Sequence, residues 1–207
     1  MKSPVLQPEW VAPPRTALLV IDIQTDFAAP DGAMARQGAD MAAIYPAVAK
    51  AGALAAAARA AHVPLVFSRV VTAPHLETAV EREAKARRGD HGPGICVEGS
   101  PGAAFLAPLP EDDDLVITKH RYSLFAGNRL GEELKARGID TLVLCGLTTE
   151  CCVASTAWDA FERDFHVVIA ADAVAAYQPA LHRTTLAALA LNGAMLAQAE
   201  ALRAAWK

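Results

Sequence analysis

At 207 residues, with 53% hydrophobic and 20% charged residues, the chain has the composition of one soluble globular domain spanning 1–207, large enough for about five or six strands and their covering helices. The formal net charge of −4 is scattered apart from an acidic run at 111–114 and a basic cluster at 85–88, which leaves no concentrated basic face for nucleic acid. No apolar run is long enough for a bilayer, and the Pro-punctuated start MKSPVLQPEWVAPPR lacks a signal-peptide core, so no membrane association and a cytoplasmic location are expected.

Apolar runs bounded by turn signals recur along the chain, as expected of parallel strands covered on both faces. The first, at 17–21, ends in Asp22, and an Ala-rich helical stretch follows over 41–61. The second run, at 64–68, leads into the region 71–110, rich in Gly, Pro, His and charge, with a short helix near 77–87. A connection of this length is more often functional than passive. The third run, at 114–118, precedes Lys119; a helix over 128–137 then stops at Gly138. The fourth, at 141–147, leads into TTECC and a helix over 153–161. Further strands at 166–171 and 194–197 flank a helix over 179–191. Strands alternating with helices predict an α/β fold: a three-layer α/β/α, doubly wound, mainly parallel sheet of about six strands.

In such sheets the ligand crevice forms at the carboxyl ends of the strands, so polar residues that follow the runs are the first candidates. Asp22, Lys119 and the TTECC turn occupy these positions. A cysteine in the first turn of a helix meets unpaired N–H groups and the positive dipole end, which lower a thiol pKa, and a lysine nearby would lower it further. Asp22 could then accept the thiol proton. Cys151 and Cys152 are adjacent on a helix start, their side chains about 100° apart, and spacing alone does not choose between them. Cys145, inside an apolar strand, reads as core. His120 is a rival base, but strand alternation turns it away from Lys119. Each residue also has an ordinary reading: a strand-end Asp caps or pairs, and a lone Lys is solvated.

Three stretches, LLVIDIQTDF, VITKHRYSLFAG and GLTTECCVASTAWDAF, resemble the signatures of the isochorismatase-like cysteine hydrolases, also called the nicotinamidase and N-carbamoylsarcosine amidohydrolase superfamily. Their order along the chain matches the Rossmann-like fold that the resemblance implies. The resemblance makes Cys152 the nucleophile, since it precedes Val153 in a G-x-x-T-x-x-C-V pattern, Asp22 the base and Lys119 its partner. It further implies a non-proline cis peptide between Leu147 and Thr148, and an oxyanion hole from the backbone N–H groups of Thr148 and Cys152. Substrate contacts carried over by position are Gln24, Phe27, Tyr122, Phe125, Thr149 and Glu150, although Phe27, Tyr122 and Phe125 could equally be core or interface aromatics. Asp26 reads as holding the first loop in place.

Within that family, metal-dependent nicotinamidases carry an Asp-x-His element after the second strand, whereas this chain reads SRVVTAPHLE, with His75 and then His91 but no aspartate. No metal and no cofactor are therefore expected. Cys152 argues against the vinyl-ether hydrolases of the isochorismate type, which lack the nucleophile. The implied activity is hydrolysis of a linear amide or ureido C–N bond in a small molecule through a thioester, by a homo-oligomer, dimer or tetramer, with Trp158 as an interface candidate. The alternative is an idle homologue that binds ligands or senses redox state through Cys151 and Cys152. A dinucleotide-binding protein is disfavoured, because DIQTDF stands where G-x-G-x-x-G would follow the first strand.

Overall fold

The computed structural model describes residues 5–89 and 94–207; His91, read as an isolated histidine, lies outside them. Six strands form one parallel sheet: β1 (Thr16–Ile21), β2 (Leu65–Val70), β3 (Leu115–Lys119), β4 (Thr141–Leu147), β5 (His166–Ala175) and β6 (Met195–Ala197), in the order β3-β2-β1-β4-β5-β6. The helices are α1 (Thr25–Ala28), α2 (Ala33–Arg36), α3 (Ile44–Ala60), α4 (Ala79–Arg87), α5 (Leu130–Ala136), α6 (Ala154–Phe161), α7 (Pro179–Leu191) and α8 (Ala199–Ala205).

Strand alternation divides the core in two. Ala17, Leu19 and Ile21 of β1 face α5, α6 and α7, packing with Leu130, Leu134, Ala157 and Leu186. Leu18 and Val20 face α3 and α8, where Leu54, Ala58 and Leu202 meet them. Every residue of β1 and β4 is buried, which is why these strands read as unbroken apolar runs. Truncating one such leucine to alanine costs about 2–5 kcal/mol.

Strand order reverses between β1 and β4, so chain leaves the sheet in opposite directions on either side and a crevice opens at their carboxyl ends. Asp22 follows β1 and the cysteine turn follows β4. The two strands approach closely because β4 carries Gly146 opposite Ile21. Gly146 has φ +109°, and a Cβ there would lie 2.1 Å from the Ile21 carbonyl oxygen.

Three elements differ from expectation. The run at 114–118 implies cover on both faces, but β3 is an edge strand, with Val116 45% exposed and Thr118 exposed beside it. β5 continues past 171 to Ala175, because Asp172, which interrupts the apolar pattern, is neutralised by Lys50 Nζ at 2.7 Å and accepts the Ala199 N–H at 2.7 Å. The terminal helix α8 lacks a clear sequence signature. It is fixed by Leu202 in the core and by Trp206, whose indole N–H donates to the Val11 carbonyl at 2.8 Å.

Candidate active site

Asp22 leaves β1 with φ +48°, in the left-handed region that Asp tolerates better than most residues. This bend ends the ladder, and the side chain is fully buried in the crevice. Its Oδ1 accepts the Ser68 hydroxyl hydrogen at 2.7 Å, and its Oδ2 lies 2.7 Å from Lys119 Nζ. Lys119 closes β3 and is 2% exposed. Its ammonium donates to Cys152 Sγ at 3.3 Å and to the Arg121 carbonyl at 3.1 Å, and faces Asp22 as an ion pair. Burial works against the ammonium, but Asp22 and the Cys152 sulfur outweigh it and hold the Lys119 pKa above the usual lysine range.

Cys152 lies in a π-helical turn, Thr149–Val153, that leads into α6, rather than in the first turn of α6 itself. The Leu147–Thr148 peptide is cis. The Cys151 and Val153 N–H groups both donate to the Thr148 carbonyl, each at 3.1 Å, which winds the backbone tightly around that residue. The expectation of a lowered Cys152 thiol pKa is corrected here. The neighbouring Cys151 sulfur, then burial, then the Asp22 carboxylate push it well up, and Lys119 only partly opposes them. The Cys152 sulfur thus lies beside the Lys119–Asp22 ion pair. Cys151 is half-buried, and its thiol is lowered by the hydrogen bond from Cys152.

Of the six substrate contacts expected by position, three are engaged elsewhere. Gln24 is fully buried; its amide donates to the Val70 and Ala103 carbonyls at 2.9 and 3.0 Å and accepts the Val70 N–H at 2.9 Å. With its polar atoms occupied by backbone, it ties the first loop to β2 and to the 101–103 turn. Phe125 is a core residue, stacked on Phe165 with ring centroids 6.0 Å apart. The buried Thr149 hydroxyl is paired with His182 Nδ1 of α7 at 2.9 Å. The other three remain available. Phe27 is half-buried between Leu147 and Cys96. Tyr122 is 63% exposed, and its phenol is raised by partial burial and then by the Cys151 and Cys152 sulfurs. Glu150 is half-buried, and its Oε2 is buried without a hydrogen-bond partner among the described residues.

Asp26 holds the first loop as expected: Oδ1 accepts the Ala33 N–H at 3.1 Å and Oδ2 the Cys96 N–H at 2.8 Å. Gly102 lies against that carboxylate, where a Cβ would come within 2.1 Å of Oδ2. Cys96 is fully enclosed, and burial raises its thiol pKa. Cys145 is likewise core, its thiol pushed up to about 12 by burial. His120 bonds the Val71 carbonyl through Nδ1 at 3.0 Å and lines a separate cavity of about 400 Å³ with Arg69, Ser100 and Thr118. Sequence reasoning missed Ser68 and His182. The signal for Ser68 was present: a single hydroxyl ends an otherwise apolar run, as Asp22 ends the first. Among the described residues, no three His, Cys, Asp or Glu side chains converge as metal ligands, and no helix is long and apolar enough to cross a membrane.

Comparison with known proteins finds relatives in sequence and in fold. The family profile described as the isochorismatase domain matches residues 16–201. Ureidoacrylate amidohydrolase RutB of Methylobacterium radiotolerans is 34% identical over 196 residues, covering 87% of this chain and 76% of that protein. The crystal structure of N-carbamoylsarcosine amidase from Thermoplasma acidophilum aligns with a TM-score of 0.71 and 27% identity over 90% of this chain and 97% of its own. A cysteine hydrolase from Pseudomonas syringae pv. phaseolicola shares the fold, with a TM-score of 0.81 at 24% identity over 100% and 98% of the two chains.

Proposed function

Since the chain belongs to the isochorismatase family, we propose that it is a cysteine-dependent hydrolase that cleaves the C–N bond of a small linear amide or ureido compound through a thioester, without a metal. One observation carries the reading: Lys119 Nζ is within reach of both Asp22 Oδ2 and Cys152 Sγ inside a buried crevice. Three polar side chains buried together at strand ends have no packing rationale, because each costs several kcal/mol to bury unpaired, on the order of the figures for isolated ions.

In this mechanism Cys152 Sγ attacks the carbonyl carbon while Asp22 takes the thiol proton. Lys119, whose ammonium donates to Cys152 Sγ at 3.3 Å, stabilises the sulfur as it becomes anionic. The backbone N–H groups of Thr148 and Cys152 receive the charge that develops on the carbonyl oxygen. The proton passes from Asp22 to the leaving nitrogen, the C–N bond breaks, and Asp22 then activates the water that hydrolyses the thioester. Phe27, Tyr122 and Glu150 line the approach. The relatives act, by their names, on ureidoacrylate and N-carbamoylsarcosine, so ureido and carbamoyl compounds are the first candidate substrates.

The same reading takes 1–207 as one cytoplasmic domain assembled into a dimer or tetramer. The exposed Trp158 and Phe161 of α6 and Leu191 of α7 support the assembly; light scattering of the purified chain tests it. The activity is tested by ammonia release from a panel of ureido acids, ureas and primary amides, with Cys152→Ala and Asp22→Asn abolishing it. Undiminished turnover in Cys152→Ala would overturn the mechanism, and a wild-type chain inactive across the panel would point to an idle, ligand-binding homologue.

A further inference from the structure

Ser68 is fully buried in the middle of the sheet, opposite Ile21 in the β1–β2 register. It touches Asp22 twice. Its carbonyl accepts the Asp22 N–H at 3.1 Å, and its hydroxyl donates to Asp22 Oδ1 at 2.7 Å. Packing does not explain a serine there, since a central strand favours β-branched residues and an interior hydroxyl is costly unless bonded. The terminal torsion of an Asp side chain is broad and roughly two-fold, so nothing intrinsic fixes the plane of the carboxylate. Two contacts fix it here: Ser68 holds Oδ1 and Lys119 holds Oδ2.

We propose that Ser68 is a positioning residue for the reaction: by occupying Oδ1 it reserves Oδ2, on the Lys119 and Cys152 side, as the oxygen that carries the proton. The inference rests on the hydrolase reading above. In the acylation step the S–C bond forms and the C–N bond breaks. The thiol proton moves to Oδ2 and on to the leaving nitrogen, while Ser68 keeps its own proton throughout. Without the hydroxyl the carboxylate can rotate, and the oxygen facing the sulfur is no longer defined.

The test uses the full chain and whichever ureido or amide compound the wild type hydrolyses, comparing Ser68→Ala, Ser68→Thr and Ser68→Val by initial rates and thermal midpoints. Ser68→Ala should lower kcat about 10- to 100-fold, the scale of a misplaced catalytic group, with KM within about twofold of wild type. Thr and Val have nearly the same shape, so their comparison separates the hydroxyl from the packing even if the alanine variant folds poorly. Thr should restore most of the turnover and Val should not. Turnover in Ser68→Ala close to wild type, or Thr no better than Val, sinks the positioning role and leaves the hydrolase reading intact. A wild type inactive on every compound sinks both.

Discussion

Lys119 and Cys152, 33 residues apart in sequence, are joined at 3.3 Å by a hydrogen bond from ammonium to sulfur. The same ammonium sits 2.7 Å from Asp22, with both side chains of that pair at 0% exposure. Removing one partner of a buried pair leaves the other charge uncompensated, at a cost of about 3–5 kcal/mol. Lys119→Met is therefore expected to lose turnover and to unfold at markedly lower denaturant concentration. A variant that loses turnover but keeps wild-type stability would show that the pair contributes less to the fold than its burial implies.

Gln24 distinguishes a clamp from a substrate contact. If its amide secures the first loop, Gln24→Ala removes three hydrogen bonds at about 0.5–1.5 kcal/mol each, more where a partner is left unpaired. The thermal midpoint should then fall, with kcat and KM changing only as far as the loop shifts. A raised KM at unchanged stability would instead return Gln24 to the substrate.

His182 supplies a pH dependence. Burial lowers its imidazole pKa below the ordinary 6.5, against the opposing pull of Glu150. The folded state therefore favours the neutral ring, and the associated stability is complete above 6.5 and is lost as pH falls through the lowered folded value. Asp140, also lowered, has an ordinary value of 3.8, so its contribution disappears only in stronger acid. Burial raises Asp140, but hydrogen bonds from Arg15 and Thr141 outweigh it. Thermal midpoints measured across mildly acidic pH should decline for wild type and much less for His182→Gln. Equal slopes would exclude the imidazole as the source.

Gly146→Ala tests the close approach of β1 and β4. The added methyl meets the Ile21 carbonyl, and the φ of +109° is one that alanine avoids. Strain of this kind costs about 1–3 kcal/mol before the clash is counted. The variant should be recovered insoluble or with a greatly lowered midpoint; a soluble, stable alanine variant would mean that the strands can separate without loss.

Much of the fold is legible in the sequence, because parallel strands covered on both faces are largely apolar, and β1, β4, β2 as far as Phe67 and the first half of β5 follow that rule. β3 carries the same kind of run at an edge, where one face is open, and composition cannot distinguish the two cases. Asp22, Lys119 and Cys152 were readable as polar residues that end strands, and the geometry brings them together. The Cys152 thiol differs from expectation: a sequence displays the helix that follows and the second cysteine, but neither the burial nor how close Cys151 and Asp22 come, which together reverse the direction. Phe125 and Thr149 have their places in a motif, yet what they touch, Phe165 and His182, lies distant in sequence. The role of Ser68 stays hidden in the sequence, because a hydroxyl within a strand is ordinary until the strand beside it is known.

The clamp formed by Gln24, Asp26 and Gly102 has a consequence for how such a protein can change. Gln24 grips Ala103, Asp26 grips Cys96, and a bridge joins Thr72 to Val97. Helix α4 lies in sequence between the two bridged residues, outside every one of these attachments. The stretch between Thr72 and Val97 is thus a cassette with fixed ends. Its one side-chain tie toward the proton-handling residues among the described ion pairs is Glu81 of α4 to Arg121 at 3.3 Å, and the Arg121 carbonyl in turn accepts from Lys119, so a change in α4 reaches the chemistry through that single link.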